Sequence, residues 1–72
     1  MATVKQSIGE VDVVSFAEAV NGWPTGTRGA VVHDFGEMKM VEVSNERGET
    51  LDLPVVSVEK LRLESKHPSA HE

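Results

Sequence analysis

His33 and Asp34 stand next to each other, and their residue types are those of a general base and the carboxylate that orients it. Successive side chains of a β-strand point to opposite faces of the sheet, so the two side chains cannot pair while both lie in a strand. We therefore interpret His33 as an exposed histidine at a strand end. Cysteine and tyrosine are both absent, so few groups remain from which to build a site, and we predict no catalytic residues and no enzyme.

A second candidate lies near the C-terminus, where His67 and His71 have the four-residue spacing of a metal-binding pair on a helix. Glu64 or Glu72 would serve as the third ligand. Pro68 lies between the two histidines in a polar stretch and interrupts such a helix. We therefore predict no metal site beyond adventitious binding, and no cofactor.

The glycines Gly26 and Gly29 suggest a phosphate cradle, but that use requires a helix whose N-terminal amides face the anion. The residues that follow, 30–35, are rich in β-branched side chains and read as a strand. We interpret Gly26 and Gly29, together with Gly48 in the turn 45–48, as structural turns.

Trp23 is the best candidate for a functional residue, because it is the single tryptophan and lies beside Pro24 in a loop. SH3-like barrels present aromatic side chains to peptide ligands from such a position. The alternative, which we favour, is that Trp23 plugs one end of the barrel. Met38 and Met40, if they face outward, add an adaptable apolar patch, so the candidate interaction surface comprises Trp23, Pro24, Met38 and Met40.

Length and charge restrict the class of protein. The chain has 72 residues and no cysteine, so we expect one small domain without disulfides or a thiolate zinc site. No apolar run is long enough for a signal peptide or a membrane span, and we expect a cytoplasmic protein. Twelve acidic and seven basic residues give a net charge of −5. The bases are scattered, which disfavours nucleic-acid binding unless Arg28, Lys39 and Arg62 meet on neighbouring strands.

The pattern of the chain predicts a flexible N-terminal arm over 1–10, a β domain over 11–63 and a disordered polar tail over 64–72. The domain is all-β, a small five-stranded SH3-like barrel with a short 3-10 turn before the last strand. Pro54 ends the fourth strand or lies on an edge, because it cannot donate a ladder hydrogen bond. The predicted strands are 11–16, 30–35, 38–43, 50–53 and 61–63.

Alternation assigns the faces of the third strand, with Lys39, Val41 and Val43 on one side and Met38, Met40 and Glu42 on the other. The predicted core consists of Val13, Val31 or Val32, Val41, Val43, Leu51, Leu53, Leu61 and Leu63.

Several segments carry a family resemblance: Val11-Asp12-Val13-Val14, the glycine-containing stretch 26–32, the stretch 41–50 with its Glu-Val strand and acidic Gly turn, and Leu61. In this order they resemble the bacterial family called domain of unknown function 4926, over 11–63. The resemblance implies a small protein without an established enzymatic activity. The chain departs from the family pattern at Lys39, where an aromatic is usual, at Ala30, where threonine is common, and at the early Pro54.

Two functions follow as alternatives. The resemblance, the acidity and the missing catalytic groups favour a non-catalytic protein-interaction module, such as the antitoxin, immunity or accessory partner of a neighbouring gene product. Its charge suits a basic protein partner. The glycine spacing also resembles the KOW motif of ribosome- and polymerase-associated barrels, although the usual basic residues are lacking. We expect no membrane partner, and either a monomer or a strand-paired homodimer.

Overall fold

The computed structural model describes residues 8–65, which form a six-stranded antiparallel sheet and one 3-10 helix. The all-β prediction is confirmed, and so is the 3-10 helix before the last strand. The strands are β1 Val13–Phe16, β2 Arg28–Asp34, β3 Met38–Ser44, β4 Thr50–Asp52, β5 Val55–Ser57 and β6 Leu61–Ser65, and the 3-10 helix is Val58–Lys60.

The strand order is β4-β3-β2-β1-β6, with β5 pairing the other half of β3. Five strands were expected and six are found, because the stretch after residue 50 is divided at Pro54. The Pro54 carbonyl accepts a hydrogen bond of 2.9 Å from the N–H of Val41, but Pro54 has no N–H to return. The sheet is not closed, since β4 and β6 are not paired with each other within the described range.

The core lies on the inner face of this curled sheet. The predicted faces of β3 are confirmed, with Lys39, Val41 and Val43 buried and Met38 exposed. The core residues are Ile8, Val14, Phe16, Val31, Val41, Val43, Val56 and Leu61, with Val20, Trp23, Val58 and Leu63 packed against them.

Two predicted core residues are wrong, because Leu51 and Leu53 are 53% and 47% exposed. Asp52 pairs with Val43, and paired residues of a sheet share a face. The inner position therefore belongs to Asp52, and both leucines point outward. Val13 is only half-buried, and Val32 is exposed beside a register shift in β2, whereas Val31 is fully buried.

The ends of the domain extend beyond the predicted limits. Ile8 is 6% exposed and belongs to the core, and the N–H of Gly9 donates a 2.9 Å hydrogen bond to the carboxylate of Asp12. At the other end, Glu64 and Ser65 belong to β6. The remainder of the expected arm and tail, 1–7 and 66–72, lies outside the described residues.

Gly26 and Gly48 have φ angles of +91° and +82°, so both occupy turns that favour glycine, as predicted. The prediction for Gly29 is wrong, because it lies inside β2. A Cβ on Gly29 would stand 2.6 Å from the backbone oxygen of Glu42 and 2.6 Å from Cγ1 of Val41. Glycine is therefore required here for the close approach of β2 and β3.

Val11 has a φ of 61°, although β-branched residues disfavour this left-handed region. Its N–H donates to the Val31 carbonyl at 2.6 Å, and the N–H of Val31 donates to the Asp12 carbonyl at 3.0 Å. These bonds hold the chain in that conformation, which costs an L-residue about 1–2 kcal/mol.

We therefore expect Val11→Asn to raise the free energy of unfolding by up to about 1 kcal/mol, because asparagine tolerates this region and Val11 is 52% exposed. Urea unfolding measures the change. Val32→Asn is the matched control within β2 and is expected to destabilise the protein, since asparagine is unfavourable in strands. Equal losses from both variants would contradict backbone strain at Val11.

Candidate interaction surface

The outward face of β3 lies between β2 and β5. Met40 pairs with His33 of β2 on one side and with Val55 of β5 on the other. Cross-strand partners share a face of the sheet, so these three side chains form a row. Met38 lies two residues from Met40 on the same face, and its carbonyl accepts a 2.9 Å hydrogen bond from the N–H of Phe35.

We call this surface, formed by His33, Phe35, Met38, Met40 and Val55, the apolar face. Phe35, Val55 and Met38 are 54%, 47% and 40% exposed, and Met40 is half-buried. The rings of His33 and Phe35 are 4.5 Å apart between centroids and tilted by 48°. The face thus combines an aromatic pair with flexible thioethers, a composition typical of surfaces that contact other proteins.

Met38 and Met40 were predicted to form an exposed apolar patch, whereas His33, Phe35 and Val55 were not predicted to belong to it. The sequence predicts Phe35 at the end of a strand and His33 as an exposed histidine at a strand end, without joining either residue to the methionines. Val55 was not predicted to belong to this patch, because Pro54 interrupts the strand pattern and the pairing of β5 with β3 could not be inferred beyond it. Alternation on β3 identifies its own outward residues, whereas the neighbours of those residues depend on strand pairing.

An ion pair on the other side of β3 holds the hairpin that carries the apolar face. Nζ of Lys39 lies 2.6 Å from Oδ1 of Asp34, and the Lys39 side chain is only 6% exposed. The N–H of Gly36 donates to the same carboxylate oxygen at 2.8 Å. The Lys39 hydrogen bond, aided by that of Gly36, lowers the pKa of Asp34 below its ordinary value of 3.8.

Removing either partner of this pair is expected to have unequal effects. Asp34→Asn leaves the buried Lys39 ammonium without its charge partner and should lower stability. Lys39→Met places an apolar side chain in the buried site and leaves a partly exposed carboxylate that water can solvate, so its effect should be smaller. Urea midpoints at neutral pH compare the two variants, and a larger loss for Lys39→Met would contradict this account.

The pH dependence follows from the lowered pKa of Asp34. A carboxylate whose folded-state pKa is depressed stabilises the protein fully above its ordinary pKa of 3.8, and that stabilisation is lost as the pH falls through the lower folded-state value. The difference in the free energy of unfolding between wild type and Asp34→Asn should therefore shrink as the pH falls below 3.8.

Trp23 lies on the core side of the sheet. It packs against the core, and its Nε1 donates a 2.8 Å hydrogen bond to Oδ2 of Asp52, the inward partner of Val43. Met38 and Met40 lie on the opposite face of β3. The four predicted surface residues therefore divide into two groups, with Trp23 and the exposed Pro24 in the loop between β1 and β2, and both methionines on the apolar face.

We expect Trp23→Phe to cost about 1 kcal/mol, the usual contribution of one hydrogen bond, and Trp23→Ala to cost more because core packing is also lost. Thermal unfolding followed by circular dichroism measures both losses. Asp52→Ala removes this acceptor together with the acceptor of the Leu53 N–H, so adding Trp23→Phe to Asp52→Ala should lower the stability little further. Fully additive losses would show that the hydrogen bond contributes nothing, and an unchanged Trp23→Ala would favour the ligand platform.

The three bases that could have formed a nucleic-acid surface do not meet. Arg28 and Arg62 both pair with Ser15, from opposite sides of β1, whereas Lys39 is buried in its ion pair. Glu64 lies on β6 together with Arg62, and its carboxylate is 3.6 Å from the Arg28 guanidinium and accepts a 2.5 Å hydrogen bond from the Ser15 hydroxyl. An acidic group therefore offsets the positive charge of this pair, which weakens it as a phosphate-binding site.

Within residues 8–65, the remaining candidate residues do not form a catalytic or metal-binding group. Asp34 bonds to Lys39 while His33 lies on the apolar face, so the two do not form a base and its carboxylate. No three histidine or acidic side chains of residues 8–65 gather into a group that could hold a metal ion. His67, His71 and Glu72 lie outside the described residues.

No family model, curated protein or solved structure matches this chain. Membership of the domain of unknown function 4926 family therefore stays a prediction. In the part of the chain that the structure describes, no helix has the length and apolar character needed to cross a membrane.

Proposed function

We propose that this chain is a non-catalytic protein-interaction domain that binds its partner through the apolar face. The observation that supports this proposal is the grouping of Phe35, Met38 and Val55 around Met40 with 40% to 54% of each exposed. Burial of apolar surface contributes about 25 cal/mol for each Å² removed from water, and these exposed side chains lack that stabilisation. A partner that covers them recovers this free energy.

The acidity of the chain directs the choice of partner. With a net charge of −5, the domain repels nucleic acid and attracts basic surfaces. Arg28 and Arg62, the basic pair that shares a row of the sheet, are offset by Glu64. These observations support a protein partner over the KOW-type alternative.

The proposal includes a cytoplasmic role as the antitoxin, immunity or accessory partner of a neighbouring gene product. This part rests on the family resemblance and on the absence of cysteine and tyrosine from the chain. A small acidic domain with an exposed apolar face suits such a role, because it neutralises and covers a basic partner surface.

A pull-down from lysate of the source organism, with and without nuclease, tests the proposed function. We expect one stoichiometric protein that survives nuclease and is lost with Val55→Lys, which places a charge on the apolar face. Ala19→Lys adds the same charge at an exposed loop position and is the control. Ribosomal proteins or RNA that disappear with nuclease, or binding that Val55→Lys leaves intact, would contradict the proposal.

A further inference from the structure

The apolar face continues to β5, whose outer edge has no partner strand within residues 8–65. Val41 donates its N–H to the Pro54 carbonyl and Val58 donates its N–H to the Glu37 carbonyl. In an antiparallel ladder, hydrogen-bonded and non-hydrogen-bonded pairs alternate, so the Met40 and Val55 pair between them is non-hydrogen-bonded. The backbone N–H and C=O of Val55 therefore point away from β3. Among the described strands, β5 pairs with β3 alone.

The charges around this edge are acidic. Glu42 follows Met40 on the same face of β3, and Glu37 and Glu59 lie at the other end, where β5 meets the 3-10 helix. Four of the five basic residues of the described range lie elsewhere, since Lys39 points inward, Arg28 and Arg62 flank Ser15, and Arg47 is in the turn after β3. Lys60 follows Glu59 in the 3-10 helix, so three acidic residues stand against one basic residue at this edge.

From this geometry we infer that the partner docks as an extended segment added along β5, with apolar residues against Val55 and Met40 and with Lys or Arg at both ends. This inference rests on the proposed function and names the chemistry of its ligand. Strand addition satisfies the outward backbone groups of Val55, and the apolar side chains of the segment extend the apolar face. A segment of about five to seven residues spans the distance between the acidic ends at about 3.3 Å per residue.

The charge around β5 favours a basic segment over a second copy of the chain as the occupant of this edge. Two copies paired through β5 would bring Glu37, Glu42 and Glu59 of each against the same residues of the other, and each copy carries a net charge of −5. Like charges across an interface oppose association, whereas a basic segment neutralises them. The strand-paired homodimer is accordingly an outcome that the experiment must distinguish.

Selection of a displayed library of random twelve-residue peptides on the purified full chain tests this inference. We expect the enriched peptides to carry an apolar centre with Lys or Arg on both sides. Glu37→Lys should weaken binding of a synthetic enriched peptide about ten-fold, because repulsion replaces attraction, while Glu18→Lys in the exposed loop after β1 should leave it nearly unchanged. Amide shifts on titration should centre on Val55 and Ser57.

Other outcomes would overturn the inference. Enriched peptides that are acidic or neutral, equal effects of Glu37→Lys and Glu18→Lys, or amide shifts centred on Arg28 and Arg62 would each do so. A dimer in sedimentation that Val55→Lys dissociates would assign the edge to a second copy. If any of these outcomes is found while Val55→Lys still abolishes binding of the lysate partner, only the inference of a basic extended segment along β5 is refuted. If Val55→Lys leaves that partner bound, the proposed function fails as well.

Discussion

Replacing Phe16 with alanine is expected to lower the free energy of unfolding by about 3–5 kcal/mol, the usual cost of removing a buried phenyl ring. Phe16 is 1% exposed and is the largest of the fully buried side chains. A small domain has a total stability of about 5–15 kcal/mol, so the variant should be largely destabilised. Urea unfolding measures the loss, with the fluorescence of Trp23, the single tryptophan, as the signal.

Phe35→Ala is the matched control, because the chain has two phenylalanines and Phe35 is 54% exposed. Its effect on stability should stay within about 0.5 kcal/mol, as for most surface substitutions. The same variant should weaken partner binding, since the ring belongs to the apolar face. Equal destabilisation by both alanine variants would contradict the division between core and exposed face described above.

Gly29→Ala is expected to destabilise the protein by about 1–3 kcal/mol, the usual cost of inserting a group where there is no space. The new Cβ would stand 2.6 Å from both the Glu42 backbone oxygen and the Val41 side chain. Val41 is fully buried, and Glu42 belongs to the strand that pairs with β2, so neither can move without disturbing the sheet. Urea unfolding measures the loss.

Gly9→Ala provides the comparison, because no described atom beyond its two chain neighbours lies within 4 Å of a Cβ added there. Alanine at that position also restricts the unfolded chain, so stability should be unchanged or should rise by up to about 1 kcal/mol. If Gly29→Ala were as stable as Gly9→Ala, the close approach of β2 to β3 would not be what requires glycine at position 29.

Local patterns of the sequence were sufficient for the fold class. The alternation of β3 predicted its buried and exposed faces, and the turn 45–48 predicted the glycine with positive φ. The short 3-10 turn before the last strand was predicted as well, and it begins after Ser57, whose side chain accepts a hydrogen bond from the N–H of Glu59. These features depend on residues a few positions apart, which the sequence displays directly.

The candidate surface depends on contacts that are distant along the chain. Pairing of Met40 with Val55, which follows Pro54, produced the apolar face. Pairing of Asp52 with Val43 turned Leu51 outward, and it brought the Asp52 carboxylate to Trp23 on the core side. A shift of one residue in pairing would reverse each of these assignments, because side chains alternate between the faces of a strand.

By itself, the sequence determined an all-β domain, its main turns and the inner and outer sides of β3, because each follows from local alternation and backbone preference. Only the tertiary structure decided that Lys39 is buried against Asp34, that Gly29 allows β2 and β3 to approach closely and that Phe35 and Val55 join the methionines. The reason is physical: strand register and close packing arise from the simultaneous pairing of segments whose order in the chain does not specify their neighbours.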